Sequence, residues 1–275
     1  MCDSPIYVKK NKYLPGVEIP VGCGKCPPCK KRRVDSWVFR LMQEDKVSTY
    51  SHFLTLTYDN ENVPRTKNKY LTLKKKDPQD FMKRLRKNTG IKGIKYYLAA
   101  EYGELNNRPH YHLIIFNVRE ESEYDKAWQK GEIHAKPVSG NGIAYTVSYL
   151  DKKKGIPLHE RDDRTEEYST MSQGLGKAYI NDQTKRYHSE NLERNYITLP
   201  GGYRIAIPRY YRDKLFDEQE KTKQMGIIKN AMDHEEAYNR YQAELKGLDY
   251  DDIKYEQGLH KRRQFERKNS KNRKL

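Results

Sequence analysis

The sequence lacks any long apolar run. No stretch of it approaches the ~20 apolar residues that a membrane-spanning helix requires. The first residues also lack the order of charged, apolar and small residues that is typical of a signal peptide. We therefore expect a cytoplasmic protein that has no membrane partner.

Cysteine is scarce, with four residues in a chain of 275. Three of them lie together in Cys23-Gly-Lys-Cys26-Pro-Pro-Cys29, and the fourth is Cys2. In a reducing compartment such cysteines are expected to be metal ligands or free thiols and not disulfides. Two overlapping C-x-x-C pairs let their sulfur atoms converge on one ion, which favours a structural zinc site. The alternative is a set of unliganded thiols in a tight proline turn.

Apolar residues are also few. They make up 35% of the chain against 33% charged residues, so we expect a compact core in part of the chain and charged extensions elsewhere. The formal net charge of +16 favours a polyanionic partner, and nucleic acid is the first candidate. A ribosomal or membrane-surface protein could carry the same charge. The 23 tyrosines fit stacking on unpaired bases and equally fit packing in a core poor in Phe.

Hydrophobic periodicity predicts a mixture of helices and strands in the first part of the chain. We predict helices at 30–46, 79–87 and 143–154, and strands at 52–58, 94–102 and 109–118. The last two strands are expected to form a hairpin across the turn at 103–108. Asp77 and Pro78 are typical of an N-cap and a first helical residue, so Asp77 is predicted to cap the second helix.

The second part of the chain is more polar. Residues 155–195 are predicted to be irregular, and Pro200-Gly201-Gly202 is expected to join the strands of another hairpin. Beyond Pro208 the chain is predicted to be helical and highly charged. From Lys261 to Leu275 eight basic residues stand against one acidic residue, which predicts a tail that is disordered until it binds nucleic acid, or one that is merely solvated.

Arg108-Pro109-His110-Tyr111-His112 is the most informative motif. Because side chains alternate along a strand, His110 and His112 lie on one sheet face and Tyr111 on the other. Two imidazoles so placed can bind one cation. A lone H-x-H pair is more often structural or incidental than metal-binding, so the context has to decide.

Glu101 supplies that context, because it lies near the end of the partner strand. In a register that sets it opposite position 110 or 112, its carboxylate joins both histidines on one face. A slip of one residue would set it opposite Tyr111 and direct it away. Glu104, nearer the turn, is the reserve ligand. Two imidazoles and one carboxylate leave coordination positions open, which suits Mg²⁺ or Mn²⁺ acting on a phosphate oxygen, with zinc as the alternative.

Tyr145, Tyr149 and Lys153 recur every four residues and form one stripe of the helix predicted at 143–154. Tyrosines at this spacing more often pack against a sheet than act as nucleophiles. A phenol becomes a usable nucleophile when a metal polarises the phosphate and a cation lies nearby. Lys153, or Lys152 beside it, could supply that cation.

Four motifs together resemble the HUH endonucleases, and within them the replication initiators of small single-stranded DNA phages of the microvirus, gokushovirus-like group. The run 53–58 resembles the first strand motif of that family, 108–112 resembles its His-hydrophobic-His motif, and 145–153 resembles its two-tyrosine helix. The fourth motif is the cysteine cluster with the basic, Trp-containing helix that follows it, together with the segment at 207–211.

The resemblance implies an α+β fold. It consists of an antiparallel β-sheet HUH (Rep-like) nuclease core with the histidines on a central strand and the tyrosine helix against that face, and with helices behind. We therefore expect a cysteine-rich element with an amphipathic helix at 1–50, a nuclease core at 51–213, and a charged helical extension with a basic tail at 214–275.

The resemblance also implies a reaction. Glu101, His110 and His112 would hold a divalent cation at the scissile phosphate of an unpaired DNA segment. Tyr149 would attack the phosphorus to form a 5′-phosphotyrosine, and Tyr145 would serve the second transfer, so that the displaced strand closes into a circle.

The implied partners are a single-stranded DNA origin, which Arg108 and Lys152 would contact, and the polymerase and helicase of a bacterial host. Acidic residues between 160 and 167 could add a metal ligand. Two other functions fit the same residues. One is a transposase or relaxase of the same superfamily, and the other is a non-catalytic, zinc-stabilised nucleic-acid-binding protein in which His110 and His112 are merely packed.

Overall fold

The computed structural model describes most of the chain, namely residues 2–9, 13–103, 105–140, 142–143, 147 and 156–271. The chain forms two compact units. We call Trp37–Tyr179 the sheet unit, and Met1–Ser36 together with Ile180–Leu275 the terminal unit. The domain boundaries expected from the sequence, after residues 50 and 213, stay a prediction.

The strands of the described residues are β1 (Ile6–Val8), β2 (Ile19–Val21), β3 (Ser51–Thr57), β4 (Lys95–Tyr102), β5 (Pro109–Phe116), β6 (Ile133–Pro137), β7 (Tyr168–Met171), β8 (Tyr196–Thr198) and β9 (Arg204–Ala206). The α-helices are α1 (Pro27–Asp45), α2 (Lys76–Thr89), α3 (Ser122–Trp128), α4 (Asp182–Ser189), α5 (Arg209–Leu215), α6 (Glu218–Glu244) and α7 (Tyr250–Lys271). Short 3₁₀ turns occupy Lys177–Tyr179 and Pro200–Gly202.

The sheet unit contains a five-stranded antiparallel sheet with the order β6-β3-β5-β4-β7. Because β5 carries the H-x-H pair, both histidines lie on the central strand. β4 and β5 form the predicted hairpin, with Lys95 opposite Phe116 and Tyr102 opposite Pro109. The predicted fold class, α+β with an antiparallel sheet and flanking helices, is confirmed.

Alternation along the strands gives the sheet two different faces. On one face Tyr111 and Leu113 of β5 are fully buried in a core to which α2 contributes Phe81 and α3 contributes Trp128. Burial of each large apolar side chain contributes roughly 1.5–3 kcal/mol, so this layer supplies most of the stability of the sheet unit. The opposite face carries the two histidines.

Helix α1 covers part of that opposite face. The ring of Trp37 packs on Tyr97, with the ring centroids 4.8 Å apart. Glu44 forms an ion pair with Lys95, in which Glu44 Oε1 lies 2.8 Å from Lys95 Nζ. Tyr97 and Lys95 pair with the C-terminal end of β5, so these contacts lie away from the histidines at its N-terminal end.

A buried polar network ties the sheet to α2. Tyr58 Oη donates to Asp77 Oδ2 at 2.8 Å and lies 2.8 Å from Tyr111 Oη. Tyr111 Oη in turn donates to the carbonyl of Lys74 at 3.0 Å. The prediction that Asp77 caps α2 is therefore wrong: the helix begins at Lys76, and Asp77 is a buried first-turn residue whose carboxylate accepts from the sheet and not from the helix backbone.

Residues 155–195 are more regular than predicted. They contain β7, which pairs with β4 along the sheet edge, and α4, which begins with a capping box between Asn181 and Thr184. β6 and α3 were also missed. These elements are short, and their hydrophobic pattern is too brief for a period to stand out.

The helix predicted at 143–154 lies mostly outside the described residues. Of its span only Ile143 and Val147 are described, and both are helical and buried.

The terminal unit contains two small antiparallel pairs and long charged helices. β1 pairs with β2, and β8 pairs with β9 around Pro200–Gly202, which confirms the predicted hairpin. α6 begins with a capping box, because Asp217 Oδ1 accepts from the backbone of Glu220 at 2.8 Å. None of the described helices is long and apolar enough to span a membrane.

The prediction of a tail that is disordered from Lys261 is wrong as far as Lys271, because α7 continues to that residue. The segment is rich in Lys, Arg, Glu and Gln, which favour helix, and it extends a helix that begins at Tyr250. Residues 272–275 lie outside the described part of the chain.

Removing the carboxylate of Asp77 tests the buried network. We expect Asp77→Ala to lower the free energy of unfolding by about 1–3 kcal/mol, because the buried Tyr58 hydroxyl loses its acceptor. Tyr58→Phe should have a similar effect, and the double variant should lose less than the sum because the two groups interact. Urea denaturation measures all three variants. Asp213→Ala, on the surface of α5, is the control and should change stability by about 0.5 kcal/mol or less.

Candidate metal centre

Glu101, His110 and His112 converge on one face of the sheet. Each offers one ligand atom, and these atoms all lie within 4.8 Å of one another. The pairing of β4 with β5 sets Glu101 opposite His110, which is one of the two registers that the sequence analysis required. The carboxylate and both imidazoles therefore share a face, while Tyr111 lies on the other.

Both histidines are held through one ring nitrogen. Nδ1 of His112 lies 3.0 Å from Thr55 Oγ1, on the neighbouring strand β3. Nδ1 of His110 lies 3.2 Å from the carbonyl oxygen of Arg108. A histidine whose Nδ1–H has an acceptor presents the lone pair of Nε2, as a metal-binding histidine does. Nε2 of His112 indeed faces Glu101, 3.7 Å from Oε1.

Burial keeps His112 neutral. Desolvation, assisted by the neighbouring His110, lowers the pKa of His112 to about 3. The ring of Phe53 stacks on His112 with centroids 5.4 Å apart and an interplanar angle of 17°. At neutral pH this imidazole therefore carries no proton on its ligand nitrogen and is available to a cation without a proton having to leave.

The cluster remains open to solvent on one side, because the side chains of His112 and Glu101 keep 21% and 18% of their exposure. Two nitrogens and one carboxylate oxygen cannot complete the shell of a six-coordinate ion, so positions remain for water or a phosphate oxygen. The residues present thus fit a divalent cation that acts on a ligand from solvent.

Several candidates lie outside the described residues: Tyr145, Tyr149, Lys152, Lys153 and the reserve ligand Glu104. Their roles stay predictions.

Arg108, predicted to contact DNA, makes contacts within the protein. It donates to the carbonyl of Tyr58 at 2.7 Å and to Asn60 Oδ1 at 3.1 Å, and so joins the β4–β5 turn to the loop after β3. Among the acidic residues at 160–167, Asp162 forms a buried ion pair with Arg164, at 2.7 Å. Its carboxylate is therefore committed to a guanidinium.

Sequence reasoning missed Thr55 and Phe53 as parts of this site. Both lie on β3, on the same face as His112, and Thr55 is paired with His112 across the strands. The alternation within the 53–58 motif could have indicated the shared face. The cross-strand pairing that puts Thr55 beside His112 is not visible in a local pattern.

A second cluster lies in the terminal unit. The sulfur atoms of Cys2, Cys23, Cys26 and Cys29 all lie within 4.8 Å of one another. Backbone donation from Cys26 and Lys25 lowers the pKa of Cys23 to about 6, whereas burial raises the pKa of Cys29 to about 12. The cysteine cluster predicted from the sequence is thus assembled, and Cys2 is part of it.

Comparisons with known proteins agree with these observations. The model of the ORF2-type replication-associated protein family matches residues 51–154, a span that includes Glu101, His110 and His112. The chain is 29% identical to replication-associated protein VP4 of Bdellovibrio phage phiMH2K over 74% of its own length and 70% of the relative. It is 26% identical to replication-associated protein ORF2 of Spiroplasma virus 4, over 81% and 75%, respectively.

A third relative is replication-associated protein ORF4 of Chlamydia phage 1, to which the chain is 26% identical over 71% of its own length and 53% of the relative. No solved structure matches the chain. These similarities confirm the resemblance to replication proteins of microviruses.

The contact between Thr55 and His112 can be tested separately from any reaction. We expect Thr55→Val to weaken Mn²⁺ binding by roughly 10- to 100-fold, because the ring of His112 loses the group that fixes its orientation. Thr55→Ser keeps the hydroxyl and should restore the affinity. Mn²⁺ titration followed by electron paramagnetic resonance measures this. Equal affinities for the Val and Ser variants would show that the hydroxyl has no part in metal binding.

Proposed function

Because this chain is a relative of phage replication-associated proteins, we propose that it starts rolling-circle replication by nicking and rejoining single-stranded DNA at an origin. The observation that carries the proposal is the convergence of Glu101, His110 and His112 on the central strand, inside the matched region. A sheet that needed only a packed histidine pair would not require a carboxylate opposite it.

Glu101, His110 and His112 are proposed to hold one Mg²⁺ or Mn²⁺. When bound, such an ion acts as a Lewis acid on a nonbridging oxygen of the scissile phosphate. The ligand set favours these ions because it offers one carboxylate and two neutral imidazoles and no sulfur.

The chain's own residues prepare the site for the phosphate. Thr55 and the carbonyl of Arg108 fix the two imidazole rings, so the ligands need little rearrangement. The open side of the cluster admits a phosphodiester from solvent. An unpaired or extruded DNA segment would reach this surface more readily than a base-paired one, because its backbone can bend into the site.

Tyr149 is proposed as the first nucleophile. Its phenol oxygen attacks the scissile phosphorus, the bond from phosphorus to the 3′ oxygen breaks, and that oxygen takes a proton and becomes a free 3′-OH. The product is a 5′-phosphotyrosine that keeps the energy of the broken bond for rejoining. Lys153, or Lys152, is proposed to stabilise the developing negative charge.

Tyr145 is proposed to serve the second transfer. After a polymerase has extended the 3′-OH and regenerated the origin, its phenol cuts the new copy. The 3′-OH so released then attacks the first phosphotyrosine and closes the displaced strand into a circle.

The proposed partners follow from this reaction. The net charge of +16 favours the DNA strand through phosphate contacts, to which Lys152 would add. Extension and unwinding would be supplied by a polymerase and a helicase of the bacterial host, so the reaction would take place in the host cytoplasm.

Tyrosine variants test the nucleophile. With an origin-bearing single strand and Mn²⁺, we expect wild-type protein to form a covalent adduct that EDTA prevents. Tyr149→Phe should form no adduct in the first cleavage, because it lacks the attacking oxygen. Tyr145→Phe should still form it but should fail to release circles. Denaturing gels and peptide mass spectrometry detect these products. DNA binding without any adduct in wild-type protein would instead support the non-catalytic binder.

Variants of the ligands test the metal. We expect Glu101→Gln and His112→Gln to reduce nicking by roughly 100-fold or more, because the ion contributes several kcal/mol to the transition state. Both variants should also lose Mn²⁺ binding in the resonance titration. Glu132→Gln and His159→Gln are matched controls at exposed positions and should keep both properties. Wild-type nicking in Glu101→Gln would remove Glu101 from the ligand set.

A further inference from the structure

The cysteine cluster takes no part in the proposed nicking reaction, yet it is assembled from distant parts of the sequence. Cys2 and Cys23 are 21 positions apart, and the backbone N–H of Cys23 donates to Cys2 Sγ at 3.3 Å. Cys2 Sγ also lies 3.5 Å from Cys26 Sγ. All four cysteines of the chain are thus drawn to one point in the terminal unit.

The spacing of the sulfurs distinguishes between the ligands they could take. A tetrahedral zinc site with Zn–S bonds of ~2.3 Å separates its sulfurs by about 3.8 Å, which agrees with a cluster in which every sulfur lies within 4.8 Å of the others. A disulfide needs ~2.05 Å, far less than the 3.5 Å between Cys2 and Cys26. An iron–sulfur cluster places iron and sulfide between its cysteines and so requires a wider arrangement.

The backbone is arranged to serve sulfur ligands. Cys23 Sγ accepts from the N–H of Lys25 at 3.4 Å and from that of Cys26 at 3.3 Å. Such bonds orient the sulfur and stabilise its negative charge. The turn that makes them requires Gly24 at φ +75°, a conformation that favours glycine. A Cβ on Gly22 would lie 2.9 Å from Cys29 Sγ, so that close approach also needs glycine.

We propose that Cys2, Cys23, Cys26 and Cys29 bind one Zn²⁺ as a tetrathiolate site that fixes the N-terminal segment to the start of α1. Four thiolates and one Zn²⁺ carry a net charge of −2. Lys25, Lys30 and Arg32 stand beside the cysteines in the sequence and offset that charge.

The neighbouring structure explains why an ion is needed. β1 and β2 have three residues each, and Ile6 and Tyr7 keep 55% and 58% of their exposure. An isolated pair of such short strands buries too little apolar surface to be stable in water. Zinc binding would supply the missing free energy directly.

Metal analysis of the full-length protein tests the proposal. Because zinc could also occupy the Glu101–His110–His112 centre, the decisive comparison uses the double variant Glu101→Gln/His112→Gln. We expect it to retain one zinc per chain after dialysis, and Cys23→Ser in the same background to retain none. Zinc that is absent from the double variant, iron in its place, or zinc that Cys23→Ser leaves unchanged would overturn the proposal.

Cobalt substitution tests the coordination itself, which matters if Cys23→Ser fails to fold. In the double variant, Co²⁺ should give the thiolate charge-transfer band and the visible bands of a tetrahedral four-sulfur site. Cys2→Ser should weaken the charge-transfer band and shift the visible bands. An unchanged spectrum would exclude Cys2 as the fourth ligand, and disulfides found by mass spectrometry in freshly purified protein would exclude the site.

A variant that keeps all four thiols completes the test. Gly22→Ala should speed the loss of zinc to a chelator, because the added Cβ displaces Cys29. Gly226→Ala, in α6, where a Cβ meets no atom within 4 Å, is the matched control and should behave as wild type. Equal rates for the two variants would contradict a ligand role for Cys29. Neither result depends on whether the protein nicks DNA.

Discussion

The pairing of β4 with β5 is the constraint on which the site depends. A shift of one residue in this register would turn Glu101 away from His110 and His112 and expose the apolar residues that now face the core. The turn fixes the register, because the N–H of Gly103 donates to the carbonyl of Arg108 at 2.8 Å. The guanidinium of Arg108 then anchors the turn to the loop after β3. One residue of the H-x-H motif region therefore serves geometry before it serves DNA.

The residue between the two histidines has a related role. Tyr111 is fully buried on the opposite face, where it contacts Tyr58 and the backbone of Lys74. Because side chains of a strand are fixed in alternation, a Tyr111 locked into the core holds the histidines on the solvent side. The stability of the core and the geometry of the ligands are thus two consequences of one strand, and a residue that never meets a substrate positions two that are proposed to hold the metal.

The sequence was sufficient where the pattern is local. Alternation placed His110 and His112 on one face, the hairpin joined β4 to β5, and the C-x-x-C repeats indicated a cluster of sulfurs. It was insufficient where the contact is between distant residues. Thr55 became a partner of His112 only through the pairing of β3 with β5, and Asp77 was taken for a cap because its acceptor role lies across the core. β7, at the sheet edge, is four residues long and mostly polar, so no period marks it.

The two clusters differ in the atoms they offer, and this difference sorts the metals. Thiolates are soft and strongly favour Zn²⁺, whereas a carboxylate with neutral imidazoles also accepts Mg²⁺ and Mn²⁺, which bind sulfur poorly. A closed set of four sulfurs leaves no position for substrate, which suits a structural role. The Glu101 centre, partly exposed and short of ligands, leaves such positions. Zinc at the cysteines and a harder ion at the histidines can therefore coexist in one chain, because neither ligand set is complete for the other metal's task.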